Sequence, residues 1–251
     1  MDTSLQFRPE DRLQKTWIPE GTEEYKIFKL ITLENYFLSE VLKKKFPLKA
    51  GELLLDVGGR EGDIGIKLQS PAYLHLVDPD PTLTLNFKPV KFWNERIQDI
   101  DLVDNYKLII CSHVLGYLGT QNVQDEVFHQ LIKAMAPGGT LVLFYNTNRG
   151  YVGELLAYTK QIDLDGHYDY FDEQLLTQLN LAEFTVTYQD VTFELAYDVW
   201  EDLARCCWFL FGARDQDIEG VSKKFLPKLK NDLQAIGFPI EERITFITRK
   251  V

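Results

Sequence analysis

Leu53-Leu54-Leu55-Asp56-Val57-Gly58-Gly59-Arg60-Glu61-Gly62-Asp63 is the stretch that decides the fold of this 251-residue chain. A short apolar run halted by two glycines reads as a buried strand, and the turn after it opens a helix over Ile64–Leu68. The same alternation continues outward. Tyr73–Val77, Val90–Trp93, Leu108–Cys111 and Thr140–Tyr145 read as four further strands. Val123, Val127, Phe128, Leu131, Ile132 and Met135 stripe a helix that Pro137-Gly138-Gly139 breaks. Continuous apolar strands separated by helices belong to a mostly parallel sheet covered on both faces. Upstream, Thr22 caps a helix with Glu23 and Glu24 in its first turn, basic Lys43-Lys44-Lys45 in its last, and Pro47 beyond its end. Downstream, helices are expected over 151–160, 172–179, 199–211 and 223–235. Strands are expected over 184–197 and 243–248, adding an antiparallel pair to the sheet edge.

Composition narrows the function. Hydrophobic residues make up 45% of the chain and charged residues 26%, enough to build a sizeable core. The formal net charge of −11 repels phosphodiester backbones and anionic lipid, so neither nucleic acid nor a membrane surface is an expected partner. Cys111, Cys206 and Cys207 are too few for a disulfide framework and read as free thiols of a reducing cytosol. The first residues hold no apolar stretch of a signal peptide, and no apolar segment approaches the roughly 20 residues that cross a bilayer. No His/Cys/Asp cluster has metal-ligand spacing along the chain, so no metal is expected. The protein is read as a cytoplasmic monomer.

The glycine turn can be tested against three ligands. A dinucleotide needs G-x-G-x-x-G, but counting from Gly58 the next two glycine slots hold Arg60 and Asp63. A triphosphate loop needs Gly-Lys-Ser/Thr, and Gly62 is followed by Asp63-Ile64. Glu61 and Asp63 would also repel a diphosphate at the helix N-terminus. A zwitterionic nucleoside bearing a sulfonium meets no such repulsion. Asp78 ends the next strand, where open α/β sheets bind ligands. A carboxylate there accepts charge-strengthened hydrogen bonds from both hydroxyls of a ribose.

These residues resemble the class I S-adenosylmethionine-dependent methyltransferases. The likeness rests on the run ending Asp56-Val57-Gly58-x-x-x-Gly62, on Asp78, on Ser112-His113-Val114-Leu115 after the fourth strand, and on Pro137-Gly138-Gly139 before the fifth. It implies a three-layer, Rossmann-like, seven-stranded sheet with an antiparallel last strand. It implies S-adenosyl-L-methionine as cofactor, held by Asp56, Gly58, Gly59, Gly62, Asp78, Ile97, Gln98 and Ser112. Arg60 stands where the family's middle glycine usually is, and Arg96 where an acidic residue often follows the third strand.

A narrower set of motifs is similar to the histamine N-methyltransferases: Gly58 to Ile64, Leu115-Gly116-Tyr117, Gly150-Tyr151, Asp172 to Gln178 and Trp200-Glu201-Asp202-Leu203. This resemblance implies substrate contacts at Glu23, His113, Tyr117, Tyr151 and Glu242. Only the glutamate and Tyr117 keep that family's residue types, which points to distant kinship with a different small substrate.

Methyl transfer requires a nucleophile held about 3 Å from the methyl group, in line with the breaking bond, with its lone pair exposed. An amine must first lose a proton, and His113 is the expected acceptor. Residues 1–251 are expected to form one domain: an arm and cap helix (1–50), a cofactor-binding half (51–147), and substrate-side helices with the late strands (148–251). The expected activity is methylation of a small molecule at an amine nitrogen. Methylation of a hydroxyl or carboxylate, or a catalytically dead cofactor-binding relative, are the alternatives.

Overall fold

The computed structural model describes residues 34–103, 105–118, 121–147, 173–194 and 239–251, with positions 153 and 231 singly. The chain divides into two compact units, one of residues 34–146, 170–191 and 242–251, the other of 1–33, 147–169 and 192–241. The first unit carries the core of the sheet.

Seven strands form one sheet: β1 (Leu54–Val57), β2 (Leu74–Val77), β3 (Lys91–Trp93), β4 (Tyr106–Ser112), β5 (Met135–Asn146), β6 (Phe184–Glu194) and β7 (Pro239–Arg249). Their order across the sheet is β3-β2-β1-β4-β5-β7-β6. Strand β1 pairs in parallel with β2 on one side and β4 on the other, so the order of strands reverses beside it. Such a reversal opens a crevice beyond the carboxyl ends of the two central strands. Every residue of β1 and β2 is buried, which is why both read as unbroken apolar runs. The helix α3 (Gln121–Lys133) buries Val127, Phe128 and Leu131, and the Gln130 side-chain amide donates to the carbonyl of Ile100.

Helix α1 covers Glu34–Lys45 of the expected first helix, and positions 22–33 lie outside the described residues. Leu38 and Leu42 are fully buried one turn apart, and Glu34 lies one turn before them on the same stripe. Lys45 ends over the ring of Phe246, 3.6 Å from its centre. The single-turn helix α2 (Gly65–Leu68) follows the glycine turn.

Two expectations are corrected. Helix α3 ends at Lys133, ahead of Pro137-Gly138-Gly139, and the fifth strand runs Met135–Asn146 rather than from Thr140, taking in Met135 and the tripeptide. Tyr106 pairs with Met135 and Leu108 with Thr140, and the register shift between these pairs absorbs the extra residues. A Cβ on Gly139 would stand 2.6 Å from the Tyr106 carbonyl, so glycine lets the backbones close up there. The segment expected as a helix over 172–179 is a 3-10 turn, Glu173–Gln178. As expected, the two late strands extend the sheet beyond β5, with β7 antiparallel to β5 and lying between β5 and β6. The helices expected over 151–160, 199–211 and 223–235, with Cys206 and Cys207, fall outside the described residues apart from positions 153 and 231. Among the described residues, no helix is long and apolar enough to cross a membrane.

Candidate active site

The turn between β1 and α2 takes three left-handed residues, Gly58 (φ 65°), Arg60 (φ 54°) and Gly62 (φ 74°). That conformation suits glycine and strains Arg60. The turn is closed by Gly58 N–H donating to the Val77 carbonyl (2.7 Å) and Gly62 N–H to the Gly59 carbonyl (2.7 Å). A Cβ on Gly58 would collide with Val114, and one on Gly62 would reach 2.5 Å from the Phe87 ring. A Cβ on Gly59 would meet Asp56 at 2.5 Å and Leu76 at 2.6 Å. The glycines therefore bring main chain close to its own neighbours, above all the segment that leaves β4.

Asp56 lies beneath this turn. Its Oδ2 accepts the Gly65 amide at 2.9 Å, which caps α2 from the preceding strand. Burial, with the charges of Asp78 and Asp63 adding to it, raises its carboxyl from 3.8 to about 7, although the Gly65 amide pulls the other way. Asp56 thus supports the turn from below; it is only 1% exposed.

Asp78 holds the turn from the side. Its Oδ2 accepts the Arg60 amide (3.1 Å) and its Oδ1 the Asp80 amide (3.0 Å). Burial shifts its carboxyl upward, against the pull of those two amides and the Arg60 charge. Each oxygen takes a single amide and keeps a further lone pair, which is the capacity a ribose diol requires. This carboxylate, fixed beside a half-buried glycine turn at the strand reversal, fits the sulfonium nucleoside inferred from the sequence.

Asp80 was not singled out in the sequence. It is 1% exposed, with Oδ1 accepting both the amide and hydroxyl of Thr82 (2.8 and 2.7 Å) and Oδ2 buried without a hydrogen-bond partner among the described residues. The Asp78-Pro79-Asp80 spacing is its signal, since an aspartate side chain commonly accepts the amide two residues further on, as Asp78 does from Asp80 and Asp80 from Thr82. Beyond β3, Ile97 is buried and Gln98 exposed in a 3-10 turn, on the same sheet end.

Ser112 ends β4, and His113 follows with a left-handed backbone (φ 56°). Its amide donates to the Phe144 carbonyl (2.8 Å), and its ring stands edge-on to the Phe144 ring at 5.1 Å. His113 Nε2 lies 2.9 Å from Glu34 Oε1 and 3.5 Å from Glu242 Oε1. Glu242 reaches this point because its strand pairs with β5 antiparallel, setting Glu242 against Asn146. Burial, reinforced by the charge of Glu34, pushes the Glu242 carboxyl well above the ordinary carboxylate range. Arg243 follows Glu242 in the strand, and its guanidinium grips Asp190 (2.6 and 2.9 Å) and Glu173 (2.9 Å).

Of the expected substrate contacts, the structure brings His113 and Glu242 together. It adds Glu34, whose signal was an acid on the apolar stripe of its helix. Glu23 and Tyr151 lie outside the described residues, and Tyr117 is described as backbone in a 3-10 turn, Leu115–Tyr117. Spacing along the chain gave no metal-ligand set, yet folding gathers Glu34, His113 and Glu242 with one ligand atom from each within 4.8 Å of the others. Cys111 is buried in β4, and burial pushes its thiol up to about 12, which leaves it unreactive.

A family profile described as a methyltransferase domain matches residues 31–189. No curated protein matches the sequence. Among solved structures, the chain is similar to the N-methyltransferase NodS of Bradyrhizobium japonicum WM9 with S-adenosyl-L-homocysteine, at 14% identity, covering 92% of this chain and 93% of that one, TM-score 0.54. It is similar to the Haemonchus contortus phosphoethanolamine N-methyltransferase 2 in complex with phosphomonomethylethanolamine and S-adenosylhomocysteine, at 15% identity, covering 91% of this chain and 57% of that one, TM-score 0.54. The [4+2]-cyclase SpnF is similar at 15% identity, covering 86% and 81%, TM-score 0.54. At such identities the likeness is one of fold.

Proposed function

The chain belongs to the methyltransferase domain family, and from that premise we propose that it moves a methyl group from S-adenosyl-L-methionine to an amine nitrogen of a small molecule. The observation that carries the amine is the largely buried group of two carboxylates and an imidazole at the end of β4, where the neighbouring Val114 lies against Gly58 of the turn. Two carboxylates in a site of low exposure favour a cation, and a small-molecule amine arrives as one. The motif resemblance to histamine N-methyltransferases supports the same class of acceptor.

The cofactor supplies an activated methyl with a neutral thioether as leaving group. The chain's residues do the rest. Asp78 holds the sugar hydroxyls, and the glycine turn of residues 58–62 admits the nucleoside beside main chain. Glu34 and Glu242 hold the ammonium, and the His113–Glu242 pair takes its proton, so that the nitrogen lone pair faces the methyl group. Glu242, made more basic by burial beside Glu34, suits that task.

The test is incubation with methyl-labelled cofactor and a panel of primary and secondary amines, alcohols and carboxylic acids, followed by mass spectrometry. Label on nitrogen is the expected result. Label on oxygen overturns the amine reading, and micromolar binding of S-adenosylhomocysteine without transfer to any acceptor overturns catalysis.

A further inference from the structure

We propose that Glu34, His113 and Glu242 form a binding site for a divalent transition-metal ion. The spacing suits one. With metal–ligand bonds of about 2.0–2.2 Å, neighbouring ligand atoms stand about 3.0 Å apart in octahedral and about 3.4 Å apart in tetrahedral geometry. His113 Nε2 lies 2.9 Å from the Glu34 oxygen and 3.5 Å from the Glu242 oxygen, and all three ligand atoms fall within 4.8 Å.

A second observation points into the same place. Glu242 is 1% exposed, and its Oε2 is buried with no hydrogen-bond partner among the described residues. An orphaned buried carboxylate oxygen is costly, and a cation satisfies it directly. Arg243 cannot serve, because its guanidinium is spent on Asp190 and Glu173.

The three ligands sit on separate and well-fixed elements. Glu34 stands on the stripe that buries Leu38 and Leu42, His113 is pinned by its amide to Phe144, and Glu242 is registered against Asn146. One imidazole with two carboxylates favours zinc or manganese over the all-oxygen preference of magnesium and calcium. The inference rests on the reading of this site as the amine pocket. Metal ion and substrate ammonium are alternative occupants of the same carboxylates, so the metal inhibits methyl transfer in competition with the amine.

The experiment strips the full-length protein with a chelator and titrates it with ZnCl2 and, separately, MnCl2 by calorimetry. One ion per chain is expected, with Glu242→Gln and His113→Ala each weakening it at least tenfold. Binding of S-adenosylhomocysteine by each variant verifies that it is folded; a variant that fails this control is replaced by Glu34→Gln. Absence of binding by the wild-type protein, or equal binding by folded variants, overturns the site. Amine methylation without metal binding refutes the metal and spares the function, whereas metal binding without transfer to any amine does the reverse.

Discussion

The two halves of the site are built by opposite means. Around the glycine turn, the functional groups lie within a few residues of one another or on adjacent strands, and main-chain amides do the holding: Gly65 to Asp56, Arg60 and Asp80 to Asp78. At the end of β4, side chains do the holding. Glu34 and His113 are 79 positions apart, and Glu242 comes from the final strand. The first arrangement forms as soon as three parallel strands pair. The second needs α1 docked, β4 placed and the antiparallel strand inserted in register. Damage should therefore read out differently, as cofactor affinity or folding at the turn and as turnover at the cluster.

His113→Ala gives the sharpest test of that contrast. Loss of the proposed proton acceptor is expected to lower kcat by about 10²–10⁴-fold while the Kd for S-adenosylhomocysteine stays within about threefold. Equal losses in both would merge the two regions into one.

The next effect concerns pH and the turn. Asp56 titrates at about 7 when folded and at 3.8 in the reference state. The folded protein therefore holds the proton more tightly, and its contribution is full below about pH 4 and is lost as pH rises through about 7. The loss is on the order of 4 kcal/mol. Asp56→Asn keeps an acceptor for the Gly65 amide and should flatten stability between pH 4 and 8. Denaturant titrations showing the same slope in both proteins would refute this account.

Asp78→Ala removes the carboxylate proposed to hold the sugar along with the two amide contacts, and should weaken S-adenosylhomocysteine by about 10–100-fold in calorimetry. Arg243→Lys should have the smallest effect. It gives up the two-pronged bond to Asp190, whose side chain is about half exposed, and should cost about 1 kcal/mol in thermal unfolding with methyl transfer unchanged.

Legibility in the sequence follows the same division. Strands β1, β2 and β4 were readable within a residue or two because each is a contiguous apolar run covered on both faces, whereas β3, an exposed edge strand, was marked only by Val90, Phe92 and Trp93. Asp78 was readable because it ends such a run. Strand β5 ran longer than expected, since Pro137-Gly138-Gly139 signals a break along the chain and says nothing of Tyr106 waiting across the pair to be approached closely. The insertion of β7 between β5 and β6 is a property of the whole sheet. Glu34 went unread although its helix was found, because a single glutamate in the middle of a helix expected from Thr22 reads as part of its solvated face. Only its place in register with Leu38 and Leu42 marks it as facing inward. His113 and Glu242 were each singled out, but that they meet is a consequence of tertiary register alone.

The backbone at His113 has a consequence for any attempt to improve this protein. A histidine held at φ 56° sits where asparagine or glycine would rest more easily. Variants selected for heat resistance alone should drift toward those residues at position 113 and grow sturdier as they fall silent, while variants selected for product should keep the imidazole and its strain.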